Sequence, residues 1–248
     1  MSIRWTYAFV DRPAELLGRA QEFWTVVTDT RLSAPRGPRD EFVTLVPAVA
    51  DPCVKMQGVE AGNGGAHLDL CVDDVPGFVK GALDTGATMA AEHEDWAVLR
   101  SPAGQLFCAV PWLGESVRPP VVHGSRLDQV CLDLAPSVYD TEVAFWSALL
   151  ADWDAQPSAL PEFHRIVPPP GFPVRVLLQR LDEERAASAH LDLACSDIET
   201  TRIRHEKLGA ETVSRGTQWT VLRDPAGGTY CLTGRDPETG SVPASNAF

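Results

Sequence analysis

An internal repeat is the feature that most constrains how this chain can fold. The tetrapeptide His-Leu-Asp-Leu at 67–70 recurs at 190–193, and the segment Trp96–Leu99 recurs as Trp219–Leu222. Both recurrences lie 123 residues further along the chain (190 minus 67, and 219 minus 96). An ungapped repeat over about forty residues indicates two copies of one fold. A polar residue that both copies contain is therefore expected at the same structural position in each copy.

The repeat extends towards the N-terminus with small slips in its offset. The pair Phe23-Trp24 recurs as Phe145-Trp146 at an offset of 122, and both pairs are predicted to lie in core helices. The change in offset from 123 to 122 indicates a one-residue difference in loop length, which loops tolerate. A unit of about 120 residues fits twice into 248 residues, which is a usual domain size. The sequence therefore predicts a first domain at 1–112, a linker at 113–125, a second domain at 126–235 and a flexible tail at 236–248.

Composition excludes several classes of partner. The formal net charge is −13, and no basic stretch is interleaved with aromatic residues, so nucleic acid is not an expected partner. The apolar stretches fall short of the roughly 20 residues that cross a bilayer, and the N-terminus lacks the apolar segment of a signal peptide. Six single cysteines without a CxxC motif predict reduced, packed thiols. We therefore expect a cytoplasmic protein that binds neither nucleic acid nor membrane.

Each half has the pattern of two β-α-β-β(-β) modules in tandem, which makes the fold class α+β. The first helix is expected to begin near Pro13, where the missing N–H costs little, and to end near Thr28. Asp73 and Ser196 are predicted N-caps of the helices that follow the repeated strands. Ser196 is also predicted to form a capping box with Glu199.

The repeated strands have one apolar and one polar face. Because side chains alternate along a strand, His190 and Asp192 share one face, and Leu191 and Leu193 share the other. In the strand that begins near residue 129, Gln129 lies on the polar face. These strands are too apolar overall to lie at a sheet edge. Their polar face is therefore predicted to line a cup that holds a ligand.

Four short motifs mark the modules: His-Leu-Asp-Leu at a module start, Asp-Ile or Asp-Val at a helix start, Leu-Gly-Ala or Thr-Gly-Ala at a helix end, and Asp-Pro-Ala-Gly before the last strand. Together they resemble the vicinal-oxygen-chelate superfamily, which includes glyoxalase I, bleomycin-resistance proteins and extradiol dioxygenases. The chain is most similar to actinobacterial glyoxalase-like proteins with two fused domains. The resemblance implies four βαβββ modules, arranged as two fused domains with curved, cup-forming sheets.

The resemblance also implies where a metal would bind. Ligands in the metalloenzymes of the superfamily come from the first and last strands of paired modules. The matching positions here are Gln129, Gln179, His190 and Cys231 in the second half, and Tyr7, Gln57, His67 and Cys108 in the first. Cysteine replaces the expected glutamate in both halves, and hard divalent ions prefer carboxylate oxygen. We therefore expect no obligatory metal; if a divalent metal does bind, its predicted ligands are His190, Gln129 and Gln179.

Eight residues are the candidate ligand-binding set, and each also has a structural interpretation. The set is His190, Asp192, Gln129, Gln179, His164, Trp219, His67 and Gln57. For either histidine of the repeat we favour a structural role, in which the aspartate two positions later holds the imidazole, over contact with a ligand. His164 could complete a facial triad with a His-x-Asp pair. The glutamines could instead form hydrogen bonds with backbone groups at strand ends, and Trp219 could pack in the core. Cys108 and Cys231 could be nucleophiles, soft metal ligands or packed apolar residues.

The sequence as a whole favours a glyoxalase-like protein that binds a small organic molecule in a sheet-lined cup. The alternative is a metal-dependent lyase, isomerase or dioxygenase centred on the second half. The missing glutamate favours the first hypothesis, because glyoxalase-type isomerisation needs a carboxylate base. The main pocket is expected in the second half or between the halves. The chain is expected to be a monomer with internal pseudo-symmetry or a homodimer.

Overall fold

The computed structural model describes residues 2–60, 62 and 64–242, which form two eight-stranded sheets and four α-helices. The elements of the first half are β1 Ile3–Pro13, α1 Leu17–Thr28, β2 Thr30–Leu32, β3 Phe42–Pro47, β4 Val54–Val59, β5 Gly65–Val72, α2 Val75–Thr85, β6 Thr88–Glu92, β7 Ala97–Arg100 and β8 Leu106–Pro111. Those of the second half are β9 Ser125–Leu134, α3 Tyr139–Leu149, β10 Asp154–Pro157, β11 Phe163–Val167, β12 Arg175–Arg180, β13 Ser188–Cys195, α4 Ile198–Lys207, β14 Glu211–Arg215, β15 Trp219–Arg223 and β16 Thr229–Thr233. The α+β class predicted from the sequence is confirmed.

The two sheets have the same strand order. The first runs β2-β3-β4-β1-β5-β8-β7-β6, and the second runs β10-β11-β12-β9-β13-β16-β15-β14. In each sheet the strand that contains the repeated His-Leu-Asp-Leu motif pairs in parallel with the last strand, β5 with β8 and β13 with β16. The sequence repeat is therefore a repeat of one sheet topology, with two modules in each copy.

Contacts divide the chain into two compact units that do not coincide with the two sequence halves. The first compact unit contains Met1–Ala8, His67–Val117 and Val130–Ala189, and the second contains Phe9–Ala66, Arg118–Gln129 and His190–Phe248. Each unit thus collects segments from both copies of the repeat. The domain boundaries expected from the sequence remain a prediction.

The core of the first compact unit contains the Phe-Trp pair of α3. Phe145 and Trp146 are buried, and both rings pack on Phe107 of β8. The indole N–H of Trp146 donates to Glu142 Oε2 at 2.9 Å, and the backbone N–H of Ala103 donates to Glu142 Oε1 at 2.7 Å. A fully buried carboxylate is therefore held by two donors, one of them four residues away on its own helix.

The core of the second compact unit contains the Phe-Trp pair of α1. Trp24 packs against Tyr230, and its indole N–H donates to Asp224 Oδ2 at 3.0 Å. The same oxygen accepts from Arg12 Nε at 2.8 Å, and both charged side chains are almost completely buried. Phe23 packs edge-on against His205, whose Nδ1 lies 2.9 Å from the Tyr230 hydroxyl. The predicted core position of both Phe-Trp pairs is confirmed.

Two predicted N-caps are wrong by one residue, whereas a helical segment does begin next to Pro13. Pro13 is the last residue of β1, and a short 3₁₀ turn at Ala14–Leu16 precedes α1. The N-cap of α2 is Asp74, not Asp73, because the Asp74 carboxylate accepts from Gly77 N. The N-cap of α4 is Asp197, not Ser196; its carboxylate accepts from the first-turn amides, so the predicted capping box does not form.

The remaining sequence expectations concern the cysteines, the membrane and the tail. All six cysteines are buried and none forms a disulfide, which confirms the prediction of packed thiols. None of the described helices has both the length and the apolar character needed to cross a membrane. In the predicted tail, Asp236 accepts hydrogen bonds from Glu238 N and Thr239 N, which form a compact turn. Residues 243–248 lie outside the described residues.

Candidate functional site

Three chemically reactive side chains of the second half lie together in the second compact unit. His190 and Asp192 project from β13, and Cys231 lies opposite Asp192 on the parallel strand β16. One ligand atom of each residue lies within 4.8 Å of the other two. His190 Nε2 is 3.3 Å from Asp192 Oδ1. We call Gln129, His190, Asp192 and Cys231 the second-half site.

Asp192 interacts with Gln129 and Arg235 as well as with His190. Gln129 Nε2 donates to Asp192 Oδ2 at 2.5 Å. The Arg235 guanidinium lies near enough to interact electrostatically with Asp192 and forms a two-pronged ion pair with Asp128, at 2.7 and 2.8 Å. Burial lowers the pKa of Arg235, but the Asp128 carboxylate more than offsets this effect, so the pKa stays above its ordinary value. A permanently charged guanidinium therefore lies beside the second-half site.

One oxygen of Asp192 retains unused hydrogen-bonding capacity. Asp192 is only 3% exposed. Its Oδ1 atom is buried and accepts no hydrogen bond within the part of the chain that the structure describes, although His190 Nε2 is close. Leaving a buried charged acceptor without a donor is costly. The second-half site can therefore accept a hydrogen bond from a bound molecule.

The first half repeats this group with different neighbours. His67, Asp69 and Cys108 also place one ligand atom each within 4.8 Å of one another, and we call them the first-half site. His67 Nε2 is 3.8 Å from Asp69 Oδ1. Tyr7 occupies the repeat position of Gln129, but its hydroxyl donates to Glu115 at 2.8 Å. Burial, followed by this hydrogen bond, raises the pKa of Tyr7 far above its ordinary value, so it is a neutral phenol.

The other predicted residues lie on neighbouring strands. Gln179 and His164 belong to the first compact unit, where Cys131 Sγ lies 3.7 Å from Gln179 Oε1. His164 Nε2 is buried and makes no hydrogen bond to the described residues, and burial followed by the charge of Arg165 lowers the His164 pKa. Gln57 pairs with Phe42 in the second compact unit. Trp219 is half-buried on β15, opposite Thr233. The assignment of these four residues to a ligand site remains a prediction.

The donor atoms of the second-half site fit a transition metal better than the sequence suggested. His190 offers an imidazole nitrogen, Asp192 a buried carboxylate oxygen that accepts no hydrogen bond, and Cys231 a sulfur atom. Nitrogen, oxygen and sulfur ligands together suit Zn²⁺ and similar ions. The sequence-based ligand set of His190, Gln129 and Gln179 omitted both Asp192 and Cys231. Gln129 donates to Asp192 through its amide nitrogen, which is the position of a supporting residue.

Sequence reasoning missed Arg235 and Asp128, the ion pair beside the second-half site. All ten residues of β9 are buried, and Asp128 is one of them. A carboxylate within a fully buried strand needs a cation or several donors, and that requirement is a usable signal. The cation lies 107 residues away, just after the last strand, where the sequence shows only the end of a domain. The last residue before the predicted tail is therefore part of the surroundings of the second-half site.

Comparison with known proteins agrees with this fold. A family model described as a glyoxalase-like domain matches the chain twice, over residues 8–110 and 129–233. No curated protein matches the chain. Among solved structures, a triple mutant of 4-hydroxymandelate synthase from Streptomyces coelicolor is 14% identical with a TM-score of 0.62, over 91% of this chain and 90% of that one.

Two further solved structures are similar to the same extent. The Mn(II)-bound glyoxalase from Novosphingobium aromaticivorans is 13% identical with a TM-score of 0.62, over 98% of this chain and 87% of that one. The 2,2',3-trihydroxybiphenyl 1,2-dioxygenase from Sphingomonas wittichii strain RW1 is 11% identical with a TM-score of 0.60, over 94% and 90%. At these identities the similarity shows a shared two-domain vicinal-oxygen-chelate fold, and nothing about chemistry.

Proposed function

Because the chain belongs to the glyoxalase-like domain family and contains two copies of that domain, we propose that it binds a small organic molecule in a sheet-lined cup at the second-half site. The proposal includes no obligatory metal. The ligand would carry an O–H or N–H group, which donates to Asp192 Oδ1. His190, two residues earlier on the same face of β13, would contact the same ligand.

The observation that carries this proposal is the support that Gln129 and Arg235 give to Asp192, whose buried Oδ1 atom accepts no hydrogen bond from the described residues. Gln129 and Arg235 already hold the other oxygen and the charge, so the carboxylate does not need His190 as its main partner. His190 itself is 14% exposed and can reach a ligand in a way that a fully buried histidine cannot. A site with a fixed acceptor and a nearby imidazole is suited to orient a small polar molecule.

A fragment screen by ligand-detected NMR tests the proposal. Phenols, alcohols and amines would be compared with their methylated analogues, which have the same shape and no donor. We expect Asp192→Asn and His190→Ala to weaken binding of the donor-bearing fragments at least tenfold. Asp69→Asn and His67→Ala are the matched controls in the first-half site, and they should leave binding within twofold. Equal losses in both halves would contradict the assignment to the second half.

A metal-dependent lyase, isomerase or dioxygenase is the second candidate function. The observation that favours it is the close approach of three potential ligand atoms in His190, Asp192 and Cys231. A bound divalent ion would act as a Lewis acid on an oxygen of the substrate. In that case Gln129 would orient the Asp192 carboxylate, and His190 and Cys231 would complete the ligand set.

Elemental analysis separates the two candidates. Protein purified without chelators should contain well under one tightly bound transition metal per chain, because a thiol stands where the superfamily has a glutamate. Near-stoichiometric Zn, Fe, Mn or Ni would refute the metal-free proposal. Loss of that metal in Cys231→Ala but not in Cys108→Ala would place the metal at the second-half site and favour the second candidate function.

A further inference from the structure

The strand pair β11–β12 of the first compact unit has one face that is partly open to solvent. Phe163 lies opposite Gln179, and Arg165 lies opposite Leu177, in this antiparallel pair. Because side chains alternate along a strand, these four side chains share one face. All four are partly exposed, whereas Ile166 on the other face is buried. We call the four residues the Arg165 face, which a molecule in solution can reach.

The guanidinium of Arg165 has no partner in the part of the chain that the structure describes. Its Nε atom is buried and makes no hydrogen bond to the described residues, and the side chain forms no ion pair with them. Asp154 of the edge strand β10 is exposed, and its carboxylate accepts from Gln156 Nε2 at 2.6 Å instead. Most buried donors in proteins are satisfied, so this unused donor indicates a missing acceptor.

Gln179 is the second hydrogen-bonding group of the Arg165 face. Its carbonyl oxygen accepts from Cys131 Sγ at 3.7 Å, so its amide N–H₂ group is the end that can donate to a ligand. In the register Gln179 is a diagonal neighbour of Arg165. Diagonal neighbours lie about 7–8 Å apart, a separation that long side chains span. One carboxylate can therefore accept hydrogen bonds from both residues.

We propose that the Arg165 face binds a monocarboxylate with an apolar body. The carboxylate accepts from the Arg165 guanidinium, in a charge-assisted hydrogen bond, and from the Gln179 amide. The apolar body lies against Phe163 and Leu177, and this burial favours such an acid over an inorganic anion. One guanidinium balances one negative charge, which favours a singly charged acid in a chain whose net charge is −13. This site is additional to the second-half site and shares no residue with it.

The first half contains the same Phe-Gln pair without the arginine. Phe42 lies opposite Gln57, as Phe163 lies opposite Gln179. Two residues after Phe42 the first half has the buried Thr44, where the second half has Arg165. The first half therefore lacks the cation at this position, and we expect one such site per chain.

Calorimetric titration of the full chain with sodium benzoate tests the site, with benzamide and sodium acetate as comparisons. Benzamide has the shape of benzoate without its charge, and acetate has the charge without the ring. We expect benzoate to bind with one site per chain and at least tenfold more tightly than either comparison. The absence of saturable benzoate binding, or equal affinity for benzamide, would overturn the proposal.

Variants locate the bound benzoate. Arg165→Gln removes no contact of the described structure and should weaken benzoate binding at least tenfold. Arg100→Gln removes the same charge from an exposed strand end of the same compact unit and should leave binding within twofold. Gln179→Leu should weaken binding at least threefold, and its repeat counterpart Gln57→Leu should not. Equal losses in the two arginine variants, or loss in Asp192→Asn with unchanged binding in Arg165→Gln, would refute the site.

Discussion

Replacing Asp224 with asparagine should destabilise the second compact unit more than the same kind of neutralisation at a buried carboxylate that has no cation beside it. The substitution keeps the shape of the side chain and removes its charge. Asp224 Oδ2 accepts from Arg12 and Trp24, and Oδ1 accepts from the amides of Ala226 and Gly228. In Asp224→Asn the backbone amides can keep their acceptor. The buried guanidinium of Arg12 then loses its only anionic partner in the described structure.

The size of the effect follows from the burial of this ion pair. The Arg12 and Asp224 side chains are 1% and 0% exposed, so solvent does not screen the loss. Removing one partner of a buried pair costs about 3–5 kcal/mol. In a chain of 150–250 residues, each kcal/mol lowers the melting midpoint by about 2–4 °C. We therefore expect the midpoint of Asp224→Asn to fall by about 6–20 °C.

Differential scanning calorimetry at pH 7 measures this shift, and Glu142→Gln is the matched control. Glu142 is as buried as Asp224 and also accepts from a tryptophan indole and a backbone amide. No cation contacts Glu142 among the described residues, so its neutralisation should cost only about 1–2 kcal/mol, as for one lost hydrogen bond. Equal midpoints for the two variants would refute the argument from charge. Adding Arg12→Met to Asp224→Asn should recover part of the loss, because the unpaired charge is gone.

Three further outcomes are expected. Gly228→Ala should lower the free energy of unfolding in urea by about 1–3 kcal/mol, because its Cβ would overlap Arg12 Cζ. Made in an Arg12→Met background, the same substitution should cost less. Burial lowers the His205 pKa from 6.5 to about 4, so as the pH falls the unfolded chain takes up the proton before the folded chain does. The free energy of unfolding should therefore fall by up to about 3 kcal/mol between pH 7 and pH 4, and this contribution should be absent in His205→Gln. His190→Ala should lower the melting midpoint by less than Gly228→Ala does. A larger decrease than in Gly228→Ala would mean that His190 has a structural role.

The sheets could be predicted from the sequence because the repeat fixes both at once. An offset of 123 residues relates His67 to His190 and Cys108 to Cys231, and these residues do occupy corresponding strands, with Cys108 opposite Asp69 and Cys231 opposite Asp192. Alternation then assigns the faces without any knowledge of long-range contacts. The starts of α2 and α4 were less well predicted, because two adjacent residues at each of them can act as N-cap and the sequence does not show which one does.

The partners of buried charges could not be predicted, because they depend on contacts between distant segments. Trp24 and Trp146 stand at equivalent repeat positions and both need an acceptor for the indole N–H. Trp146 finds it on its own helix at Glu142, whereas Trp24 finds it 200 residues away at Asp224. No local pattern distinguishes these two solutions. For the same reason the role of Arg235 could not be predicted, because it follows the last strand and yet pairs with Asp128 and interacts electrostatically with Asp192.

The differences between the two repeats predict how many ligands one chain binds. Both sites keep the histidine, aspartate and cysteine, so these residues alone would give two equal sites. In the second-half site Gln129 and Arg235 support Asp192, whereas Tyr7 of the first half is engaged by Glu115. The two sites therefore differ in the residue beside the aspartate, which is an amide at Asp192 and a phenol in the first half. We expect a donor-bearing fragment from the NMR screen to titrate with one site per chain; two sites of equal affinity would show that the neighbours do not decide binding.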